Sequence, residues 1–475
     1  MISRTFSLGY LTGCFTVVLL SSCATSKTTV NLSSTVVAEP IVQPVVPMAM
    51  DSSAGVYRSL YRKEAVIAYY HLQDNKLIWF DSLGRISLGD SMLAIIRNVR
   101  YFGLLPQHFH LEEIEERLKF NDPQSVERTD ALMTDAFFRL ANDLKYGVDQ
   151  HPGKEFDSVD AQLLRNIHHF GGLSSTLKSR EPKFSPYVAL KQALASILDT
   201  TETAVRERLL TGEVNDSVIF KTVQSIEINL ERWRRERNFV ENGRYIYINV
   251  PSFMLSVVAD GKNVMASKVI VGAPKTSTPE ISSEVECLVV YPYWHVPRKI
   301  AVEEYLPIIQ KDTSFITRNN FDVLDRRGKV LNLDSIDWKK FNRNYFPVSL
   351  RQREGKGNSL GLIKFVFDNP YAVFLHDTNA KGLFRNTVRA YSHGCIRAEK
   401  AIELGHYLLT GAVTKRSTTL EKYLGEKQRR FVSLSHPVPI FVRYFTCEMA
   451  DKTLYVYDDC YDMDKEVAQC LYESL

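Results

Sequence analysis

The chain has 475 residues, 45% of them hydrophobic and 24% charged, an ordinary globular balance with room for two or three cores. The formal net charge is +4, spread along the chain without a long basic run, which removes the case for a nucleic-acid partner. So small a charge is compatible with an anionic polymer as partner without indicating one.

At the N-terminus, residues 1–7 carry Arg4 and no acid, residues 8–20 form an apolar stretch, and Leu20-Ser21-Ser22-Cys23 follows. A basic start, an apolar run and small residues before a cleavage point describe an export signal over 1–23. The Cys after Leu-Ser-Ser resembles a bacterial lipobox, which implies cleavage before Cys23 and lipidation of its thiol. A plain signal peptide or a short anchor are the alternatives, and the apolar run is shorter than the roughly 20 residues that a spanning helix needs. Residues 24–55, rich in Ser, Thr, Val and Pro, read as a flexible tether.

Residues 56–240 carry a helical pattern. Leu93, Ile96, Val99 and Leu104 recur around a turn at Gly103, Leu132, Phe137, Leu140 and Leu144 mark an amphipathic segment ending near Gly147, and residues 229–238 form a charged helix with Leu230 and Trp233. His108, His110 and the His168-His169 pair have no spaced Cys, Asp or Glu partners, so no metal site is expected and these histidines read as surface or capping groups. Near residue 244 the period changes to that of strands. Residues 245–250, 255–258, 264–271 and 285–291 read as strands, with Asp260-Gly261 as a hairpin turn. Residues 363–367 and 371–376 flank Asp368-Asn369-Pro370, a second hairpin signal. On strand alternation, Ala372, Phe374 and His376 share a face. Residues 398–409 read as a helix with Ala398, Ala401, Ile402, Leu408 and Leu409 on one face. A last strand pair is expected over 439–445 and 453–457. The reading is therefore α+β: a helical scaffold over 56–240, a β-rich, sandwich-like domain over 241–445 with a helix after its Cys, and a C-terminal extension over 446–475.

Chemistry concentrates in Ser392-His393-Gly394-Cys395-Ile396-Arg397. A Cys acts as nucleophile only as thiolate, which calls for a base or a positive field nearby. His393 and Arg397 flank it, the following helix would bring its positive end close, and Gly394 lets the backbone bend. Nineteen positions earlier stands His376, in Leu375-His376-Asp377-Thr378, placed to take the thiol proton and pass it to a leaving amine. The bland alternatives are a structural Cys beside a turn and a surface His at a strand end. Of the other cysteines, Cys447, Cys460 and Cys470 lie close together, and the sequence does not choose a pairing among them.

The segment from His376 to Arg397 resembles the signature of YkuD-type L,D-transpeptidases, and the wider context resembles their large YcbB-like branch. Matching pieces are Asn229 to Arg234, Tyr245 to Pro251, Val271-Gly272, Trp294 to Pro297 and Leu360-Gly361. Gly103 to Pro106 and Leu132 to Phe137 resemble that branch's N-terminal scaffold. The resemblance implies Cys395 as nucleophile, His376 as base, and the carbonyl of Asp377 orienting the imidazole. His393 and the N–H groups of Gly394 and Cys395 would meet the oxyanion. Arg397 would hold the loop or the substrate, Arg389 and Ser392 would assist, and Trp294 and Phe374 would line the cleft. The implied partners are peptidoglycan stem peptides, a tetrapeptide donor and an amine acceptor, joined 3→3 through a thioester, with the membrane reached through Cys23. No cofactor is required. Residues 291–297 and 346–360 are candidate covers, with Gly355 and Gly357 as hinges. Two departures stand out. Too few residues separate Leu209 from Ser225 to hold the peptidoglycan-binding module common in that branch, and Asn379 replaces the Pro that often follows His-Asp-Thr. A Cys/His hydrolase of cross-links and a non-catalytic wall-binding lipoprotein are the competing readings. The absence of acid at Ala24 and Thr25 points, in a Gram-negative cell, to the outer membrane.

Overall fold

The computed structural model describes residues 5–6, 55–81, 84–148, 158–167, 171–211 and 217–472. Cys23, the signal, most of the tether and the His168-His169 pair lie outside the described residues, as does part of the link between Leu209 and Ser225. No helix among the described residues is long and apolar enough to cross a membrane. The chain forms two compact units. One consists mainly of residues 4–234 and the other mainly of 235–448, and the segments after 448 are divided between them.

The first unit is helical: α1 (Lys63–Leu72), α2 (Ser87–Arg97), α3 (Pro123–Tyr146), α4 (Ser185–Thr200) and α5 (Val218–Arg235) are its main elements. α3 starts where Asp122 accepts the N–H of Ser125 and Pro123 occupies the first turn, and it stops at Gly147. It is buried on nearly every side rather than on one stripe, because its polar residues are used internally. Asp130 accepts the N–H of Trp79 at 2.8 Å, Thr134 accepts its indole N–H at 2.9 Å, and Asp135 accepts the N–H of Arg62 at 2.7 Å. These bonds tie the N-terminal segment to the central helix at a depth where an unpaired carboxylate would be strongly destabilising. His110 also reaches Asp135, at 2.6 Å, while His108 is fully buried with no hydrogen-bond partner among the described residues, contrary to the surface or capping setting expected for it. Burial pushes His108 down to about 4, so it stays neutral at ordinary pH.

The second unit is built on a nine-stranded sheet. Its strands are β1 (Arg244–Asn249), β2 (Met254–Ala259), β3 (Lys262–Gly272) and β4 (Ile281–Val290), then β8 (Ile363–Phe367), β9 (Leu375–His376), β10 (Ala390–Ser392), β11 (Ile396–Ala398) and β12 (Arg430–Arg443). Three short strands, β5 (Trp294–His295), β6 (Phe321–Leu324) and β7 (Ser349–Gln352), form a separate sheet in the order β5-β7-β6. The large sheet runs β10-β3-β11-β9-β8-β4-β12-β1-β2, and β2 also pairs with β3, so the sheet curls back on itself. The β2–β3 turn has Asp260 and Gly261 both at positive φ, the two-residue turn that matches strand twist. The enclosed core includes Leu255, Val257, Val269, Leu288, Ile363, Phe365, Leu375, Ile396 and Ile440. Helices α6 (Ala401–Thr410) and α7 (Thr418–Glu426) cover part of it. Gly405 permits this approach, since a Cβ there would lie 2.7 Å from Ile363.

Several expectations need correction. The segment after Cys395 first forms strand β11, and the helix begins only at Ala401, so its positive end is a full strand away from the thiol. The expected strand 371–376 shrinks to Leu375–His376, because Ala372 sits at positive φ and Asn369 folds the turn back, bonding Val373 through both its carbonyl and its N–H. The strand at 453–456 belongs to a small separate sheet and does not pair with β12. Cys447 and Cys460 carry free thiols, so no bridge joins them.

The residues joining β4 to β8 form a subdomain with its own core of Val296, Ile309, Val323, Trp338, Phe346 and Leu350. Trp294 packs there against Tyr305 and Phe321.

Candidate active site

Alternation along three adjacent strands creates the site. On β8, Ile363 and Phe365 face the core, so Lys364 between them faces outward. Register places Lys364 opposite His376, and His376 in turn opposite Arg397. One outward row therefore reads Lys364, His376, Arg397. Cys395 lies two residues before Arg397, just ahead of β11. The thiol lies 4.0 Å from the carbonyl oxygen of Ala372, and it makes no hydrogen bond to the imidazole in this conformer.

His376 is buried, and its Nδ1 is hydrogen-bonded to the carbonyl of Asp377. That bond fixes the tautomer with the proton on Nδ1 and leaves Nε2 as an acceptor toward the cleft. Burial, opposed by the Asp377 bond and reinforced by the charges of Arg397 and Lys364, pushes His376 down to about 3. Burial also raises the Cys395 thiol above its usual 9.0, while the Phe374 N–H, Lys364 and Arg397 pull it back. At rest the pair is therefore a neutral thiol beside a neutral imidazole. Alkylation of Cys395 in the free protein by iodoacetamide, mapped by peptide mass, is then expected to climb from pH 6 upward with its half-point above 9.0. A plateau reached by pH 6 would mean a preformed thiolate–imidazolium pair.

The turn that presents the thiol is held from below. Ser392 Oγ donates to the carbonyl of Cys395 at 2.5 Å and accepts the N–H of Gly394 at 3.2 Å. Ser392 is buried, so it shapes the turn instead of meeting a ligand. The Gly394 N–H is already engaged there, whereas the Cys395 N–H makes no hydrogen bond among the described residues. Arg389, expected near the substrate, is buried and spends its donors on the carbonyls of Val269, Asn386, Thr387 and Phe253. It ties β10 to the sheet. His393 is exposed, and its Nε2 pairs with Glu304 at 2.5 Å. Glu304 lies on the π-helical turn Ala301–Tyr305 of the inserted subdomain, an irregularity often found at functional sites. Trp294 belongs to that subdomain's core, whereas Phe374 is half-exposed with the Lys364 ammonium 3.2 Å from its ring centre. Asp377 is itself fixed, accepting the N–H of Leu362 at 2.9 Å and pairing with Lys381.

Sequence reasoning passed over Thr278. Its hydroxyl accepts the N–H of Gly272 at 2.8 Å and donates to the carbonyl of Gly394 at 2.9 Å, and Thr276 donates to the carbonyl of Ser392 at 3.0 Å. Tyr461 closes the arrangement by donating to the carbonyl of Gly272 at 2.7 Å. No local pattern marks a Thr that acts 116 residues away. Thr278→Val keeps the shape and orphans both buried partners, so we expect a loss of about 1–3 kcal/mol in chemical denaturation. Because the Cys turn is then less well held, kcat should fall about tenfold or more with KM little changed.

Residues 243–417 match the family model of the YkuD L,D-transpeptidase catalytic domain, and residues 64–194 match the Scaffold domain model. The chain therefore carries a YkuD L,D-transpeptidase catalytic domain together with a Scaffold domain. It is also 34% identical over 247 residues to a protein of Haemophilus influenzae named provisionally as an L,D-transpeptidase. That match covers 51% of this chain and 49% of that protein, so the chain spans about half the length of its curated relative.

Proposed function

We propose that this protein is a peptidoglycan L,D-transpeptidase that forms 3→3 cross-links through a Cys395 thioester. The observation that carries the reading is the outward row of the sheet, where an imidazole with a free Nε2 stands between two cations and beside a cysteine thiol. The family matches of both domains support it.

The donor is a tetrapeptide stem. A rotation of the Cys395 side chain brings Sγ toward Nε2 of His376. As Sγ attacks the carbonyl of the third, L-centred residue, the thiol proton passes to Nε2, and the Sγ–C bond forms. The imidazole is unprotonated at rest and so open to a proton, and the negative charge that develops on attack raises its basicity from the low resting value. The oxyanion meets the Cys395 N–H. Nε2 then returns the proton to the departing nitrogen, the C–N bond breaks, and D-alanine leaves. An amine of a second stem attacks the thioester, the C–S bond breaks, and the thiolate takes back the amine's proton by way of His376. Water in place of the amine makes the same site a carboxypeptidase. The resemblance of residues 20–23 to a lipobox supports a cell-envelope setting for this work, with the chain anchored through a lipidated Cys23, on the outer membrane if the cell is Gram-negative.

The test is to incubate the protein with purified tetrapeptide stems and identify products by mass. New dimers with loss of D-alanine support transfer. Free D-alanine alone makes it a hydrolase, and no change in any stem overturns the reading.

A further inference from the structure

Lys364 is a half-buried cation that none of the proposed steps uses. It lies on the outward face of β8, directly across from His376, with its ammonium 3.2 Å from the centre of the Phe374 ring. Arg397 occupies the matching position on the other side of His376, also half-buried. Among the described residues neither makes an ion pair or hydrogen bond with a carboxylate, and no Asp or Glu stands among the charges that act on either group. Burial destabilises both ammonium and guanidinium, which is the direction in which each is shifted, and the group whose charge would favour both is Cys395, a neutral thiol at rest. Two such groups on one cleft floor, one on each side of an imidazole, make a site that is incomplete without an anion. Several other cations of this unit do have a carboxylate partner. Arg351 and Arg353 share Asp322, Arg443 is held by Glu236, and Lys381 by Asp377.

We propose that Lys364, together with Arg397, forms a carboxylate-binding pair that receives a free carboxylate of the peptide substrate close to the bond that Cys395 attacks. This rests on the acyl-transfer reading for its choice of a peptide ligand. A carboxylate between the two cations fills the missing counter-charge and places the neighbouring carbonyl above the thiol. The bond to be cut is then selected by distance from that carboxylate. In a tetrapeptide stem the carboxylate comes either from the C-terminal D-alanine or from a side chain, and both present the same chemistry to the pair. Lys364 is thus assigned to substrate selection, and its position on Phe374 holds the flexible side chain in place before the ligand arrives.

The test compares binding of three peptides by calorimetry: a synthetic tetrapeptide stem, the same stem amidated at its C-terminus, and the stem amidated at its side-chain carboxylates. The full chain carrying Cys395→Ala is used so that no turnover intervenes. The expected result is that one amidated stem binds about tenfold or more weakly than the free acid. Which amide is weakened names the carboxylate. Adding Lys364→Met, which keeps an apolar stem over Phe374, should bring the ratio to within about twofold, and Lys364→Arg should restore it. A Lys364→Met protein that discriminates as strongly as its parent overturns the proposal, and so does failure to bind any stem. Steady-state rates without the Cys395 change separate the two readings. Discrimination in binding without turnover overturns acyl transfer and leaves the carboxylate site standing. Turnover of acid and amide with equal KM overturns the carboxylate site alone.

Discussion

Cys395→Ala is expected to abolish the acyl-enzyme seen by intact mass and to lower turnover of a tetrapeptide stem by at least about 10⁴-fold. The size follows from the division of labour in the cleft. The thiol is the nucleophile that forms the covalent bond to the carbonyl, whereas the Cys395 N–H stabilises charge that arises only after that bond begins to form. The fold should not notice the change. Cys395 is half-buried and its Sγ lies 4.0 Å from the Ala372 carbonyl oxygen, a weak contact, so the unfolding midpoint in denaturant should correspond to a shift within about 1 kcal/mol. His376→Ala is expected to give nearly the same loss, and the double variant should be no slower than either single one, because thiol and imidazole act as one unit. Turnover surviving in Cys395→Ala would remove the nucleophile from the mechanism altogether.

The parts of the site that the sequence made legible are those whose chemistry is local. A Cys within Ser-His-Gly-Cys-Ile-Arg and a His followed by Asp-Thr announce a reactive pair, and strand register does set His376 opposite Arg397, two residues after the Cys. The two core stripes are equally plain: Leu93, Ile96, Val99 and Leu104 in the helical unit and the alternation of Ile363, Phe365 and Phe367 on β8 are all buried. Misreadings came where a side chain's direction is set by distant backbone. His393 looks catalytic from its place beside Cys395, yet the turn at Gly394, with φ at 109°, sends it toward Glu304, 89 residues away. Arg389 looks like an anion reader until the carbonyls of β3 and of Phe253 take its donors. The helix expected from Ala398 begins at Ala401 because Ala398 pairs with Val269 of β3 and ends a strand there. Thr278 and Lys364 left no local trace, since their importance exists only after three strands are in register.

The same dependence on remote backbone governs the second large effect, expected at Gly361, which touches neither thiol nor imidazole. Gly361 has φ at 63°, a left-handed conformation that an alanine adopts at a cost of about 1–2 kcal/mol. A Cβ there would also lie 2.4 Å from the carboxylate of Asp377, far inside contact distance. Asp377 cannot easily yield. Its carboxylate accepts the N–H of Leu362 at 2.9 Å, its own N–H donates to the carbonyl of Ile363 at 2.8 Å, and its carbonyl orients His376. Gly361→Ala is therefore expected to destabilise the protein by roughly 2–4 kcal/mol, the sum of backbone strain and overpacking. Displacement of the Asp377 carbonyl should further turn the imidazole, and a misplacement of about 1 Å in a catalytic group lowers rate about 10²-fold. The two consequences separate experimentally. Denaturant titration reads the first. Stem turnover at a temperature where the variant remains folded, with Cys395 alkylation by iodoacetamide as a check that the thiol is still presented, reads the second. If the folded variant alkylates normally and also turns over stems at the parent rate, then the link from Gly361 through Asp377 to His376 is broken, and the base needs no such support.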